Sequence, residues 1–193
     1  MDSYSDRASG NISRITLEDL EVVIALHEEY LNYGEGVRMH FNSILRDPET
    51  IALKYTLYNE IAGILIYTKG VALSAGHDHL VKVLEEKARG KNVYTGDAVL
   101  VKRGFRSLGI ADKLCNAMLQ ELKSKGSERM VHEFWVHPDG HVPALRMFSV
   151  LKNNFYVGRF MNYYRDFHQY GYFCPICGEH CVCAAEIYIA EMP

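Results

Sequence analysis

The chain has 193 residues, 48% of them apolar and 23% charged, with a formal net charge of −3. That length suits one domain with a sizeable core, and so near-balanced a charge excludes a general nucleic-acid or anionic-membrane binder, since both need a basic surface. No apolar stretch is long enough to span a bilayer, and the polar residues 1–11 lack the hydrophobic segment of a secretory signal. The expectation is a cytoplasmic protein with a flexible leader at 1–11 and one domain over 12–193.

In chain order, residues 12–15 suit a short first strand. Thr16 reads as a helix N-cap with Asp19 as the acid three residues on, and Ile15 and Leu20 are placed for a hydrophobic staple. The helix over 17–32 puts Leu20, Val23, Ile24, Leu26, His27 and Leu31 on its apolar side, until Gly34 and Gly36 break it. A second helix covers 37–45. Two apolar runs, 51–58 and 61–67, read as a hairpin closed by Asn59-Glu60. Asp78 is the expected N-cap of a helix over 80–88, which Gly90 stops. A strand over 92–101 follows.

Beyond that strand and a basic turn, Ile110, Leu114, Cys115, Met118, Leu119 and Leu122 fall on one helical face, and Gly126 ends the helix. Residues 129–136 alternate as a strand, and 137–140 make a turn. Pro143 sits near the first position of a helix over 142–153, where proline is tolerated best. The aromatic-rich 155–169 reads as strand, and 186–192 as a final strand.

The strand, loop and helix around residues 98–122 carry the strongest signal. The first amides of a helix have no partner within it and sit at the positive end of its dipole, so they suit a phosphate. Small residues at Gly109 and Ala111 let a bulky pyrophosphate approach the backbone, and Arg106 can add a charge-assisted contact. Arg106-Ser107-Leu108-Gly109-Ile110-Ala111 resembles the acyl-CoA loop, R/Q-x-x-G-x-G/A, of the GNAT superfamily of N-acetyltransferases. The preceding Val99-Leu100-Val101, short turn, Phe105 and Arg106 resemble that family too. So does the element order, which implies an α/β (α+β) fold: a mixed, mostly antiparallel central sheet flanked by helices.

The resemblance implies acetyl-CoA as co-substrate, with Val99, Val101 and residues Arg106 to Ala111 binding it. It extends to a later helical motif, Asn-x-x-Ala-x-x-Leu-Tyr, where His141, Ala144 and Phe148 take the Asn, Ala and Tyr positions. His141 and Phe148 would therefore also face the cofactor. Phe148 cannot protonate a leaving thiolate. Ser149, Tyr156 or Tyr163 would substitute, or the thiolate would leave unassisted.

An amine with a pKa of about 10.4 must lose a proton before it attacks a thioester. The resemblance points to Asp97 on the strand before the loop as general base, with His137 second. The alternatives are a ladder cap for Asp97 and a turn residue for His137. Direct attack is expected, because the one cysteine of the cofactor unit, Cys115, lies on the apolar face of its helix. His27, His40, His77 and His79 read as structural, since His77-x-His79 lacks a third ligand.

Four of five cysteines crowd into one short stretch, where Cys174-Pro-Ile-Cys177-Gly resembles a rubredoxin-type knuckle and Cys181-x-Cys183 follows. In a reducing compartment such a cluster suits structural zinc bound by Cys174, Cys177, Cys181 and Cys183, with His180 as an alternative ligand. The expected function is acetyl transfer from acetyl-CoA to a small-molecule or peptide primary amine, with no nucleic-acid or membrane partner. The resemblance also admits a homodimer. The competing reading is a non-catalytic acyl-CoA-binding or protein-interaction module with a structural zinc knuckle, which His141 and Phe148 favour.

Overall fold

The computed structural model describes residues 10–74, 77–144 and 154–193. Its strands are β1 (Asn11–Arg14), β2 (Ile51–Leu57), β3 (Glu60–Lys69), β4 (Val93–Val101), β5 (Arg129–Val136), β6 (Asn154–Phe160) and β7 (Ala184–Glu191). They form one sheet in the order β1-β2-β3-β4-β5-β7-β6. Every neighbouring pair is antiparallel except β4 and β5, which run parallel. Helices α1 (Leu20–Tyr30), α2 (Glu35–Ile44), α3 (Asp78–Lys87) and α4 (Ile110–Ser124) flank the sheet. This is the mixed, mostly antiparallel α/β architecture expected. Among the described residues, no helix is long and apolar enough to cross a membrane.

The sheet is buried on both faces, which is why its central strands read as continuous apolar runs. On β3, Leu65 and Tyr67 pack with Leu114, Met118 and Leu122 of α4. Ile64 and Ile66 pack on the other side with Val23, Leu26, Val37 and Phe41 of α1 and α2. At Gly63 an added Cβ would lie 2.9 Å from the Leu100 carbonyl oxygen and 3.0 Å from Ile110, so glycine there lets α4 seat closely on the sheet.

Several local expectations shift. The Thr16 N–H donates to the Asp19 carboxylate at 2.8 Å as anticipated, but the first turn, Leu17–Asp19, is a 3-10 turn that precedes α1. The hairpin turn is Tyr58-Asn59, not Asn59-Glu60: both have positive φ, 52° and 59°, as a two-residue primed turn needs. Asp78 opens α3 from inside, and His77 holds the cap position. Asn11 belongs to β1, and residues 1–9 of the expected leader lie outside the described residues. So do residues 145–153 of the expected helix over 142–153.

The largest correction concerns 155–169. Only Asn154–Phe160 is strand; the chain then folds through turns and a 3-10 helix, Phe167–Tyr170. The segment 161–183 therefore forms a long excursion between β6 and β7, which pair with each other. It buries Tyr163, Tyr164 and Phe167 against Leu84 of α3, Val131 of β5 and Ile187 of β7.

The excursion is tied to the α1–α2 connection. Tyr33 and Phe173 exchange backbone hydrogen bonds of 3.1 and 2.9 Å and stack their rings at 5.5 Å, while the Gly36 N–H donates to the Gly171 carbonyl at 3.0 Å. Glycine makes this approach sterically feasible. A Cβ at Gly34, where φ is +116°, would stand 2.4 Å from the Gly171 oxygen, and one at Gly36 would stand 2.6 Å from the Tyr170 oxygen. Both obstacles are backbone atoms and cannot swing aside. Gly36→Ala should lower unfolding free energy by about 1–3 kcal/mol, the usual cost of forcing extra volume into a packed contact. Urea titration checks this, and an unchanged midpoint would show the two segments are not tightly joined.

Candidate active site

The site is created by a bulge. Between β3 and β4 the register passes from Ile66 opposite Ala98 to Tyr67 opposite Gly96, so Asp97 is an extra residue on β4. A bulge kinks its strand and re-aims the side chain it carries. The parallel pairing of β4 with β5 stops at Gly96 opposite His132. Beyond that point β4 stays with β3 and β5 stays with β7, so the two strands part. The first residues past the fork are Asp97 and Glu133.

These two carboxylates have different surroundings. Asp97 accepts a hydrogen bond from Nε2 of His40 on α2 at 2.6 Å, with the two side chains 17% and 33% exposed. Burial opposes the His40 charge, but the charge and hydrogen bond of Asp97 outweigh it and hold the imidazole above its ordinary value. Only Oδ1 of Asp97 is engaged in that bond. Glu133 accepts four bonds, from the Ser74 N–H (3.0 Å), Ser74 Oγ (2.5 Å), Tyr163 (2.9 Å) and Tyr164 (2.9 Å). A carboxylate has about four lone-pair sites, and these four bonds engage those of Glu133. Burial, and then the Glu133 charge, push both tyrosine phenols well up, so they remain donors.

Asp97 and Glu133 face a cleft of about 100 Å³ between the α1–α2 connection and the excursion. His27 and Asn32 line one wall; Trp135, Tyr164, Tyr172 and Cys181 line the other. Burial pushes the His27 imidazole down. Its Nδ1 lies 3.0 Å from the Asn32 carbonyl, an acceptor, so Nδ1 carries the hydrogen and Nε2 the lone pair.

Of the residues expected at the site, Asp97 reaches the cleft and His137 does not. His137 follows the end of β5, packs its ring against Trp135 at 4.3 Å and His141 at 5.4 Å, and is pushed down by burial and then by His141. The His141 carbonyl accepts the His137 N–H at 2.9 Å, and its own N–H donates to Asp139 at 2.9 Å, so it closes a turn. Phe148 and Ser149 lie outside the described residues. Tyr156 is 56% exposed on β6, and the Tyr163 hydroxyl is committed to Glu133.

The glycine loop has the form its spacing suggests. Arg103–Phe105 is a 3-10 turn, Ser107 and Gly109 have φ of 65° and 71°, and α4 begins at Ile110. Nothing lies within 4 Å of a Cβ built at Gly109, so conformation rather than space calls for glycine there. The loop is anchored to α1: Tyr30 accepts the Arg103 N–H at 3.0 Å, and the Arg106 guanidinium sits 5.1 Å from the Tyr30 ring centre. Arg106 Nε also donates to the Val101 carbonyl at 3.1 Å. The amides of Ile110, Ala111 and Asp112 open the helix without intrahelical acceptors. Val99 and Val101 lie on the stretch of β4 past the fork, and Cys115 is buried, its thiol pushed up to about 11 by burial and then by Asp112.

The four C-terminal cysteines converge, all Sγ atoms lying within 4.8 Å of one another. Cys183 Sγ stands 3.9 Å from that of Cys174 and 3.7 Å from that of Cys177. Amides of Ile176 and Cys177 donate to Cys174 Sγ at 3.4 Å, and Gly178, at φ 70°, closes the turn with a 2.8 Å bond to the Cys174 carbonyl. Cys181 and Cys183 are buried around an exposed Val182, so they alternate as a strand would although the residues lie outside one.

Sequence spacing gives His27 and His40 a structural reading and does not single out Glu133, yet the fold brings all three to the cleft or to Asp97. His40 lies 57 positions from Asp97, and nothing local marks the pair. Because the folded His40 value is raised, the stability it contributes is fully present below the unfolded value of about 6.5 and is lost as pH rises through the folded one. The difference in unfolding free energy between the parent chain and His40→Gln should thus shrink from about pH 5.5 upward. Urea melts across pH, with imidazole titration by NMR, would contradict the pairing if that difference grew instead.

Residues 20–151 match the acetyltransferase (GNAT) family. Among curated proteins none matches the chain in sequence. Solved structures of similar architecture include Arabidopsis thaliana NAA60 in complex with acetyl-CoA, with a TM-score of 0.66 at 13% identity over 94% of this chain and 97% of that one. Another is the ribosomal-protein-S18-alanine N-acetyltransferase of Escherichia coli, with a TM-score of 0.63 at 15% identity over 95% and 94%. A third is an N-acetyltransferase of Staphylococcus aureus Mu50, with a TM-score of 0.63 at 12% identity over 96% and 99%. A glycine loop opening α4, strands parted at a carboxylate and a family match over most of the sheet agree: the chain belongs to the acetyltransferase (GNAT) family.

Proposed function

We propose that the protein transfers an acetyl group from acetyl-CoA to a primary amine by direct attack, with Asp97 receiving the amine's proton. The observation that carries this reading is the position of Asp97: a half-buried carboxylate at the fork, facing the cleft, with one oxygen held by His40 and the other without a hydrogen-bond partner among the described residues. Glu133 is not assigned the role, because four hydrogen bonds already engage its oxygens. His40 positions Asp97 rather than touching the acceptor. His137 packs behind Trp135 and is not among the residues lining the cleft, so it is not assigned the role.

Acetyl-CoA supplies an acyl group activated as a thioester. The α4 amides from Ile110 to Asp112, with the Ser107 to Gly109 turn and Arg106, would hold its diphosphate. Val99 and Val101 share a strand edge, since N–H direction alternates along β structure. Past the fork their amides could donate to the oxyanion that develops on the thioester carbonyl. Asp97 takes one proton from the ammonium, the neutral nitrogen attacks the carbonyl carbon, and the carbon–sulfur bond breaks to release the thiolate of CoA, which takes up the second proton that the nitrogen sheds as the amide forms. Buried Cys115 supports direct transfer over an acetyl-cysteine enzyme.

The cysteine cluster fits a structural zinc ion. Zinc–sulfur bonds of about 2.3 Å in a tetrahedron put neighbouring sulfurs about 3.8 Å apart, and the two spacings of 3.7 and 3.9 Å agree. Cys174, Cys177, Cys181 and Cys183 would hold it and clamp the excursion on which Tyr163 and Tyr164 ride.

Replacing Asp97 with Asn should lower kcat/KM by about 10²- to 10⁴-fold while leaving the Kd for CoA unchanged. Thiol release and calorimetry measure the two, and undiminished turnover would remove Asp97 from the base role. For the metal, elemental analysis of reduced protein should find one zinc per chain, lost in Cys177→Ser together with a lower Tm. Reduced, folded protein without zinc would refute the site.

A further inference from the structure

The acceptor cleft specifies more than an amine. Its charged side chains among the described residues are carboxylates, Asp97, Glu133 and the exposed Glu179, with no lysine or arginine. Trp135, Tyr164 and Tyr172 add aromatic surface, which attracts organic cations. His27 supplies an independent observation. It is 7% exposed, its Nδ1–H is committed to the Asn32 carbonyl, and its Nε2 is a lone-pair acceptor with no hydrogen-bond partner among the described residues. Asn32 and Tyr172 can also donate, but every charged group of the lining attracts positive charge, and His27 Nε2 accepts.

Size and access narrow the class. The cleft holds about 100 Å³, and a cavity of about 150 Å³ is what admits a benzene. About four or five heavy atoms fit inside, so the outer nitrogen of a longer chain lies at the mouth, where Glu179 is exposed, and a bulky side chain does not enter. The Tyr33–Phe173 and Gly36–Gly171 backbone hydrogen bonds join the two walls and limit how far they can part to admit a polypeptide. Gly34 and Gly36 hold those walls at backbone contact.

We propose that the acceptor is a short aliphatic diamine or polyamine, free in solution, with one ammonium at Asp97 and a second held by the acidic, aromatic wall. This rests on the acetyl transfer proposed above. The nitrogen at Asp97 loses its proton and gains the acetyl group, while the second nitrogen keeps its charge and anchors the molecule.

Three probes of similar length test it: 1,4-diaminobutane, n-butylamine and 4-aminobutanoate, whose second ends carry positive, no and negative charge. A hexapeptide with a free N-terminus is the fourth. The expected order of kcat/KM is diamine, monoamine, amino acid, with about tenfold or more between diamine and amino acid at low salt, a gap that salt narrows. The hexapeptide should not be turned over. Glu179→Gln, at an exposed position that leaves the core intact, should narrow the diamine-to-monoamine ratio about threefold or more. Calorimetry on CoA-loaded protein separates the two readings. Diamine heat without turnover of any amine sustains the acceptor class and overturns the transfer chemistry. Equal turnover of the three short probes, or turnover of the hexapeptide, overturns the acceptor class and leaves the transfer chemistry standing.

Discussion

The parting of β4 from β5 is the feature on which the rest of the molecule depends. Two parallel strands held together along their length would leave no room between them and no free strand edge. Here the extra residue at Asp97 kinks β4 just where its pairing with β5 ends, and each strand continues with its other neighbour. The consequence is a wedge with backbone amides along one side, a carboxylate at its apex and the start of α4 beyond its far end. Gly96 belongs to the same device, because a Cβ there would stand 3.2 Å from the Tyr67 ring and 3.3 Å from His132 Nδ1.

The two acids at the fork are identical functional groups in unlike environments. Glu133 is enclosed by Ser74, Tyr163 and Tyr164, whose four hydrogen bonds join β5 to the excursion and to the segment after β3. Hydrogen bonds to a charged group contribute about 1.5–3 kcal/mol each, so this cluster organises the cleft as much as it charges it. Among the described residues Asp97 has one hydrogen-bond partner, His40. The first arrangement suits a fixed field and the second suits proton transfer.

The connection between β6 and β7 is longer than hairpins usually are, and long connections in compact proteins tend to carry function. This one supplies the aromatic wall of the cleft, the cysteine cluster and the strap to α1–α2. Its aromatic residues drew it toward a strand reading because such side chains fill half-buried strands. In the fold they fill instead the space between α3, β5 and β7, and the four cysteines gather at the far end of the segment.

Local periodicity and short motifs determined much of this protein from sequence. The apolar runs of β2, β3 and β5, the single buried face of α4, the glycine loop and the Cys-Pro-Ile-Cys-Gly turn are all written in neighbouring residues, and each appears near its expected bounds. The site was legible only in part: Asp97 could be singled out, but its bulge, its partner His40 and the neighbouring Glu133 could not. Those depend on register between strands and on contacts across 57 positions for His40 and Asp97, and 59 for Ser74 and Glu133. Gly34 and Gly36 make the same point, since they read as helix breakers and turn out to be where two backbones touch. Spacing along the chain encodes what a residue does to its own helix or strand. Only the folded sheet decides which distant side chains meet, because packing and loop closure, not sequence proximity, bring them together.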